Sequence, residues 1–200
     1  MSEDIERTEG MEETMKNQKW MAASDIHGSA YYCGKLLEAY EREGADRLLL
    51  LGDILYHGPR NDLPKEYAPK RVIELLNAKK QDILCVRGNC DTEVDQMVLE
   101  FPILADYGVI CLENRVIYAT HGHVYNEQKL PPLHPGDILL HGHTHVPVCR
   151  EHENYIYMNP GSVSIPKEDS WHGYMLWEKE CFVWKDFEGN IKETLQLGVD

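Results

Sequence analysis

Asp25 and His27 stand two residues apart after the apolar run Trp20-Met21-Ala22-Ala23. In an extended chain, residues two apart point the same way, so this carboxylate and imidazole can aim at one point beyond a strand end. Gly28 then lets the chain turn sharply. Four further stretches repeat the plan. Gly52-Asp53 follows Leu48-Leu49-Leu50-Leu51, and Arg87-Gly88-Asn89-Cys90-Asp91 follows Ile83-Leu84-Cys85-Val86. Thr120-His121-Gly122-His123 follows Val116-Ile117-Tyr118, and His141-Gly142-His143-Thr144-His145 follows Ile138-Leu139-Leu140. Taken alone, an Asp-x-His is more often an N-capping Asp beside an incidental His, and a Gly-Asp is a common turn. Five apolar runs that each end in Asp, Asn or His are poorly explained that way. Gathered in one place, they supply oxygen and nitrogen donors for a divalent metal. Gly52 is expected to leave room for a ligand beside the backbone.

The elements that must position these groups follow from periodicity. Residues 20–24 read as a strand. Residues 29–43 read as a helix, with Ser29 as N-cap, Cys33, Leu36, Leu37 and Tyr40 as its apolar stripe, and Gly44 as its end. Residues 47–51 form a second strand whose unbroken leucines suit burial on both faces. A helix over 68–79, with Val72, Ile73, Leu75 and Leu76 inward, leads to a strand over 83–86 and a short helix over 92–100. Strands at 108–112, 115–120, 137–140, 146–150, 155–158, 174–177, 182–186 and 191–195 then follow closely. Their short connections predict a mostly antiparallel second half. An open α/β sheet places its ligands beyond such strand ends.

Composition narrows the function. The chain has 200 residues, 42% of them hydrophobic and 27% charged, as expected of one globular domain. A formal net charge of -14 argues against a grip on nucleic-acid backbones or anionic membranes. Bound metal would reverse the field locally, so a small phosphorylated substrate remains compatible. Cys33, Cys85, Cys90, Cys111, Cys149 and Cys181 are scattered without a Cys-x-x-Cys pair, which suits reduced thiols. With no signal pattern and no apolar run of spanning length, cytoplasm is the expected location. Residues 1–19 carry Glu3, Asp4, Glu6, Glu9, Glu12 and Glu13 against Arg7, Lys16 and Lys19. They are expected to be a flexible acidic extension ahead of one domain over 20–200.

In order along the chain, Asp25-x-His27, Gly52-Asp53, Gly88-Asn89, His121 in Thr-His-Gly-His, and Gly142-His143-Thr144-His145 resemble the motifs of calcineurin-like metallophosphoesterases. Asp25-Ile26-His27-Gly28-Ser29, His57-Gly58-Pro59-Arg60-Asn61, Arg87-Gly88-Asn89-Cys90-Asp91 and Asn159-Pro160-Gly161-Ser162-Val163-Ser164-Ile165-Pro166 are similar to the bacterial YfcE-type phosphodiesterases. The resemblance is dense over residues 20–166. It implies an α/β fold, a four-layer α-β-β-α sandwich with two facing mixed β-sheets. It implies two divalent metal ions, Mn²⁺ first, with Fe, Zn²⁺, Ni or Co as other candidates. One would be held by Asp25, His27, Asp53 and His145, the other by Asp53, Asn89, His121 and His143. Asp53 and a water or hydroxide would bridge them.

One position departs from the wider superfamily, where many members carry His after the Asn. Here Cys90 stands there, a weak match for protonating a leaving group. His123 and metal-bound water are candidates for that role, and Arg60 and Asn61 for contact with substrate. Asn159-Pro160-Gly161-Ser162 reads as a structural turn. The expected function is hydrolysis of a small phosphodiester through the bridging hydroxide. Phosphomonoester or nucleoside polyphosphate hydrolysis is the alternative, as is a non-catalytic scaffold like a eukaryotic trafficking subunit of similar fold. A homo-oligomer is compatible with the sequence.

Overall fold

The computed structural model describes residues 18–198, so the acidic stretch up to residue 17 lies outside it. The element order is β1 (Lys19–Ala23), α1 (Ala30–Glu43), β2 (Arg47–Leu50), α2 (Pro69–Asn77), β3 (Ile83–Cys85), α3 (Glu93–Gln96), β4 (Tyr107–Cys111), β5 (Val116–Thr120), β6 (Asp137–His141), β7 (Pro147–Glu151), β8 (Tyr155–Pro160), β9 (Gly173–Glu178), β10 (Cys181–Asp186) and β11 (Ile191–Gln196). Lys19, placed by its charge with the acidic extension, is instead the first residue of β1. Its N–H donates to Asp46 Oδ2 at 2.8 Å and its ammonium to Glu43 O.

Two mixed sheets face each other. The first has strand order β11-β10-β9-β1-β2-β3 and the second β4-β5-β6-β8-β7. The leucines of β2 show why. Leu48 and Leu50 pack among Cys33, Leu36 and Tyr40 of α1 and Val72 and Leu76 of α2. Leu49 and Leu51 pack among Ile117, Ala119, Ile138, Leu140, Trp177 and Trp184 between the sheets. Each such side chain contributes about 1.5–3 kcal/mol by leaving water. The α1 stripe works as expected: Ser29 Oγ accepts from Tyr32 N–H, and Gly44 closes the helix in a left-handed conformation.

Helices α1 and α2 cover the outer face of the first sheet. The outer side of the second sheet is covered by the irregular segment 121–136, whose Tyr125 ring lies 6.1 Å from Tyr118 of β5. Two sequence expectations change. The second half is not simply antiparallel, because β5, β6 and β8 pair in parallel. That irregular segment makes the β5–β6 crossover without a helix, so short spacing misled. The helix expected over 92–100 stops at Gln96, whose side chain donates to the carbonyls of Leu99 and Phe101 and accepts from Ile103 N–H. Those bonds hold the chain in a turn.

Candidate metal centre

Five strand ends converge where the sheets meet. Asp25 and His27 lie beyond β1, Asp53 beyond β2, Asn89 beyond β3, His121 beyond β5, and His143 and His145 beyond β6. Their backbones are unusual. Asp25, His27, Asp53, His143 and His145 have φ of 60°, 48°, 56°, 67° and 63°. That left-handed region costs a non-glycine residue about 1–2 kcal/mol, so surrounding bonds must hold it. Asp25, His27 and Gly28 donate their N–H groups to Gly52, Asp53 and Ile54 carbonyls at 3.1, 2.9 and 2.8 Å. The two loops are thereby zipped together.

Each carboxylate is anchored by one oxygen. Asp53 Oδ1 accepts from Cys90 N–H at 2.8 Å, while Oδ2 lies 3.7 Å from His27 Nε2 and 3.5 Å from His121 Nε2. Asp25 Oδ2 accepts from His143 N–H at 3.1 Å. Asp25 Oδ1 is buried without a hydrogen-bond partner, 3.6 Å from His27 Nε2 and 3.3 Å from His145 Nε2. Three imidazoles are anchored through Nδ1, which donates to a carbonyl: His27 to Tyr56 O at 2.7 Å, His121 to Leu51 O and His145 to Ile165 O at 2.6 Å each. That bond fixes the tautomer of the neutral ring and turns each Nε2 toward the centre, where its lone pair is free once it gives up any proton. His121 Nε2 also lies 3.1 Å from Asn89 Oδ1 and 3.1 Å from His143 Nδ1. The donor set fits divalent cations. Three-residue groups drawn from Asp25, His27, Asp53, Cys90, His121 and His145 have donor atoms within 4.8 Å of one another.

The family model described as "Calcineurin-like phosphoesterase superfamily domain" matches residues 19–180. The chain belongs to that superfamily. It is 50% identical over 149 residues to Phosphodiesterase YfcE of Escherichia coli (strain K12), covering 74% of this chain and 81% of the relative. The solved structure of that E. coli phosphoesterase matches with a TM-score of 0.88 at 42% identity, over 90% of this chain and 100% of the other. Vacuolar Protein Sorting 29 from Cryptosporidium parvum shares the fold at 18% identity, with a TM-score of 0.57 over 90% of this chain and 99% of the other.

The side chains of the centre shift one another's protonation. Burial alone would depress His121, but Asp53, hydrogen-bonded to it, and Asp25 push it up to about 9. Burial and the charge on His121 drive neighbouring His143 down to about 4. Burial opposes ionisation of Asp25, yet the imidazoles of His145 and His27 hold its carboxyl well below the usual range. Burial, then the carboxylate of Asp53, pushes the Cys90 thiol up to about 12, so it stays protonated. Such opposed shifts concentrate at functional sites.

A cavity of about 410 Å³ opens over this centre, lined by Asp53, Asn89, Cys90, His143 and His145 and, at its edge, Arg60, Asn61 and Lys167. Arg60 is exposed there. His123 does not line the cavity: it is exposed, its ring 5.4 Å from that of His121 and 6.3 Å from that of His143. Gly52 corrects an expectation. The space a side chain would take is filled by the backbone of Gly88, not left for a ligand, and a Cβ on Gly88 would strike Asp53 Oδ1. The pair brings the β2 and β3 loops into contact.

Asn159 is buried and structural, but it and Pro160 close β8 rather than forming the expected turn. Its amide donates to Gly142 O at 2.9 Å and Thr144 Oγ1 at 3.0 Å, steadying the histidine loop. Three contributors escaped the sequence reading. Asp91 is buried and accepts the N–H groups of Asp53, Ile54 and Gly88 at 2.8, 2.9 and 2.7 Å. Ser162 donates to Asp25 O at 3.0 Å. Lys167 reaches the cavity edge from beyond β8. Asp91 sits in a quoted motif, and a carboxylate in a Gly-Asn-Cys-Asp turn is a known acceptor for nearby backbone N–H groups. Ser162 likewise sits in the Asn-Pro-Gly-Ser motif, though nothing there names Asp25 as its partner, and for Lys167 the sequence carries no signal.

Proposed function

We propose that the chain is a dinuclear metal-dependent phosphodiesterase acting on a small phosphodiester. The observation that carries this reading is the placement of Asp53 Oδ2 between His27 Nε2 and His121 Nε2, at 3.7 and 3.5 Å. On one side of it stand Asp25, His27 and His145; on the other, Asn89, His121 and His143. Each set with Asp53 would hold one cation, Mn²⁺ being the first candidate. When bound, the pair would supply Lewis-acid charge to the phosphate and an activated water as nucleophile.

The chain's own residues supply the rest. The Nδ1 anchors of His27, His121 and His145 keep their Nε2 atoms on the centre. Asn89 presents its amide oxygen there while its Nδ2 donates to Cys90 Sγ at 3.2 Å. The protonated Cys90 adds no cation beside the phosphate. A monoester approaches two negative charges at neutral pH and a diester carries one. A pocket with a thiol where many members of the wider superfamily carry His therefore favours the diester. His123 is the candidate leaving-group acid, and Arg60 a candidate substrate contact. The E. coli relative's name, Phosphodiesterase, points the same way. The reading takes the chain from Lys19 onward as one domain in the cytoplasm; no helix of the described residues is long and apolar enough to cross a membrane.

The test strips the protein with chelator, restores it with Mn²⁺, and compares kcat/KM for bis-aryl and mono-aryl phosphates sharing one leaving group. Activity should vanish and return, with the diester preferred, and Cys90→His should shift the ratio toward the monoester. Full turnover by metal-free protein, or a wild-type preference for the monoester, refutes the assignment.

A further inference from the structure

The cavity over the metal centre has a floor of metal-ligating types and an edge that bears cations. Arg60 comes from the loop after β2, Lys167 from the segment after β8, and both line the one cavity. Both are exposed. Neither is placed at random, because each rides on a loop bonded to a histidine of the centre. His27 Nδ1 donates to Tyr56 O, and Asn61 Nδ2 donates to His57 O at 2.8 Å, closing the turn that carries Arg60. Lys167 N–H donates to His145 O at 3.1 Å, while His145 Nδ1 donates to Ile165 O two residues earlier.

Their charges are also uncompensated. Arg42, Arg71, Arg87, Arg115 and Arg150 each lie within ion-pair distance of a glutamate, whereas Arg47, Lys65, Lys70, Lys129 and Lys179 form no ion pair among the described residues but line no part of this cavity. Arg60 and Lys167 form no ion pair among the described residues, although the chain carries a net charge of -14. Two unpaired cations converging on one cavity in so acidic a protein call for an anion. The reacting phosphate belongs on the floor, and the cavity's 410 Å³ is room for a ligand much larger than a phosphate group.

We propose that Arg60 and Lys167 bind a second anionic group, so that the preferred substrates are phosphodiesters whose non-leaving arm carries a carboxylate or a phosphate. This rests on the phosphodiesterase reading and narrows its substrate class. The arginine fork matches either anion through paired N–H donors, and the lysine adds a mobile point charge. Because both side chains are exposed, each contact is worth only about fivefold in kcat/KM, the upper end for solvent-exposed ion pairs.

The experiment uses the Mn²⁺-loaded full chain and three p-nitrophenyl phosphodiesters whose second arms are carbamoylethyl, carboxyethyl and phosphorylethyl. The leaving group is common, so differences report the second arm. Wild type should prefer an anionic arm over the neutral one, with the carboxylate and phosphate arms showing which anion is favoured. Arg60→Ala and Lys167→Ala should each cut that preference about fivefold, Lys167→Glu should cut it further, and Lys167→Arg should retain it. Added salt should erode the preference through screening, which a purely structural role for these residues would not produce. Equal turnover of neutral and anionic arms by wild type overturns the inference while leaving the phosphodiesterase reading in place. So does a preference untouched by every substitution. A wild type that hydrolyses none of the three overturns both.

Discussion

The first sheet supplies Asp25, His27, Asp53 and Asn89 to the centre, whereas the second supplies His121, His143 and His145. One half of the molecule thus brings all three oxygen donors with a single imidazole, and the other only nitrogen. Their supports differ in the same way. Carboxylates are steadied by backbone N–H groups, from Cys90 to Asp53 and from His143 to Asp25. Imidazoles are steadied by carbonyls, as His121 is by Leu51 O across the sheets. Each kind of group uses one atom on the scaffold and leaves another for the centre. Because several of these anchors cross from one sheet to the other, neither half presents a finished site alone.

The sharpest way to break this comparison is Asp53→Asn against His145→Ala. Asp53 Oδ2 faces histidines of both sheets, so Asp53→Asn should lose both cations and about a thousandfold or more in kcat/KM, beyond the 10–100-fold usual for outer contacts. His145→Ala should lose chiefly one cation. Elemental analysis decides; two cations retained at wild-type affinity in Asp53→Asn would show that the carboxylate is not shared.

Asp91 probes the scaffold beneath the first sheet's oxygens. Its two oxygens accept three backbone N–H groups, and Asn there would set an N–H₂ donor against one of them. Asp91→Asn should weaken metal binding about 10–100-fold while the protein stays folded. Calorimetric titration with Mn²⁺ measures it, and unchanged affinity would strip Asp91 of that positioning role.

On the second sheet the probe is pH. In the metal-free protein His121 is pushed up to about 9, so at pH 7 it holds a proton that a cation must displace. The sign follows: affinity of the site that His121 serves should rise as pH rises toward 9 and fall below it, with roughly one proton released at neutrality as that site is loaded. Calorimetry in buffers of different ionisation heats counts the protons, and none released would contradict a protonated His121. The smallest effect is expected from deleting residues 1–17, which precede β1 and carry no site residue. kcat/KM and Tm should stay unchanged, and a clear loss in either would show that this acidic stretch docks on the domain.

Much of the site could be read from the sequence because its donors follow buried strands directly. Leu48 to Leu51 announce β2, and Asp53 comes next; the same holds for His121 after β5 and His143 after β6. The α1 boundaries were equally plain, since Ser29 and Gly44 are local signals whose effect is complete within one turn. The parallel pairing of β5, β6 and β8 was not legible, because a crossover without a helix leaves no periodic signature. Nor was the role of Gly52, whose neighbour Gly88 is far away in sequence.

What the sequence by itself determined is therefore the list of donors, the strands that carry them and the family they mark. These depend on residue type and on periods of two and 3.6. Only the tertiary structure decided which oxygen of Asp53 faces the histidines, which nitrogen of each imidazole is tied to a carbonyl, and that Asp25, His27, Asp53, His143 and His145 sit at positive φ. It alone brought Arg60 and Lys167 to one cavity. The reason is physical: such orientations are set by hydrogen bonds between segments far apart in the chain, 118 residues from His143 N–H to Asp25 and 137 from Ser162 to Asp25 O, and no local pattern records a partner at that distance.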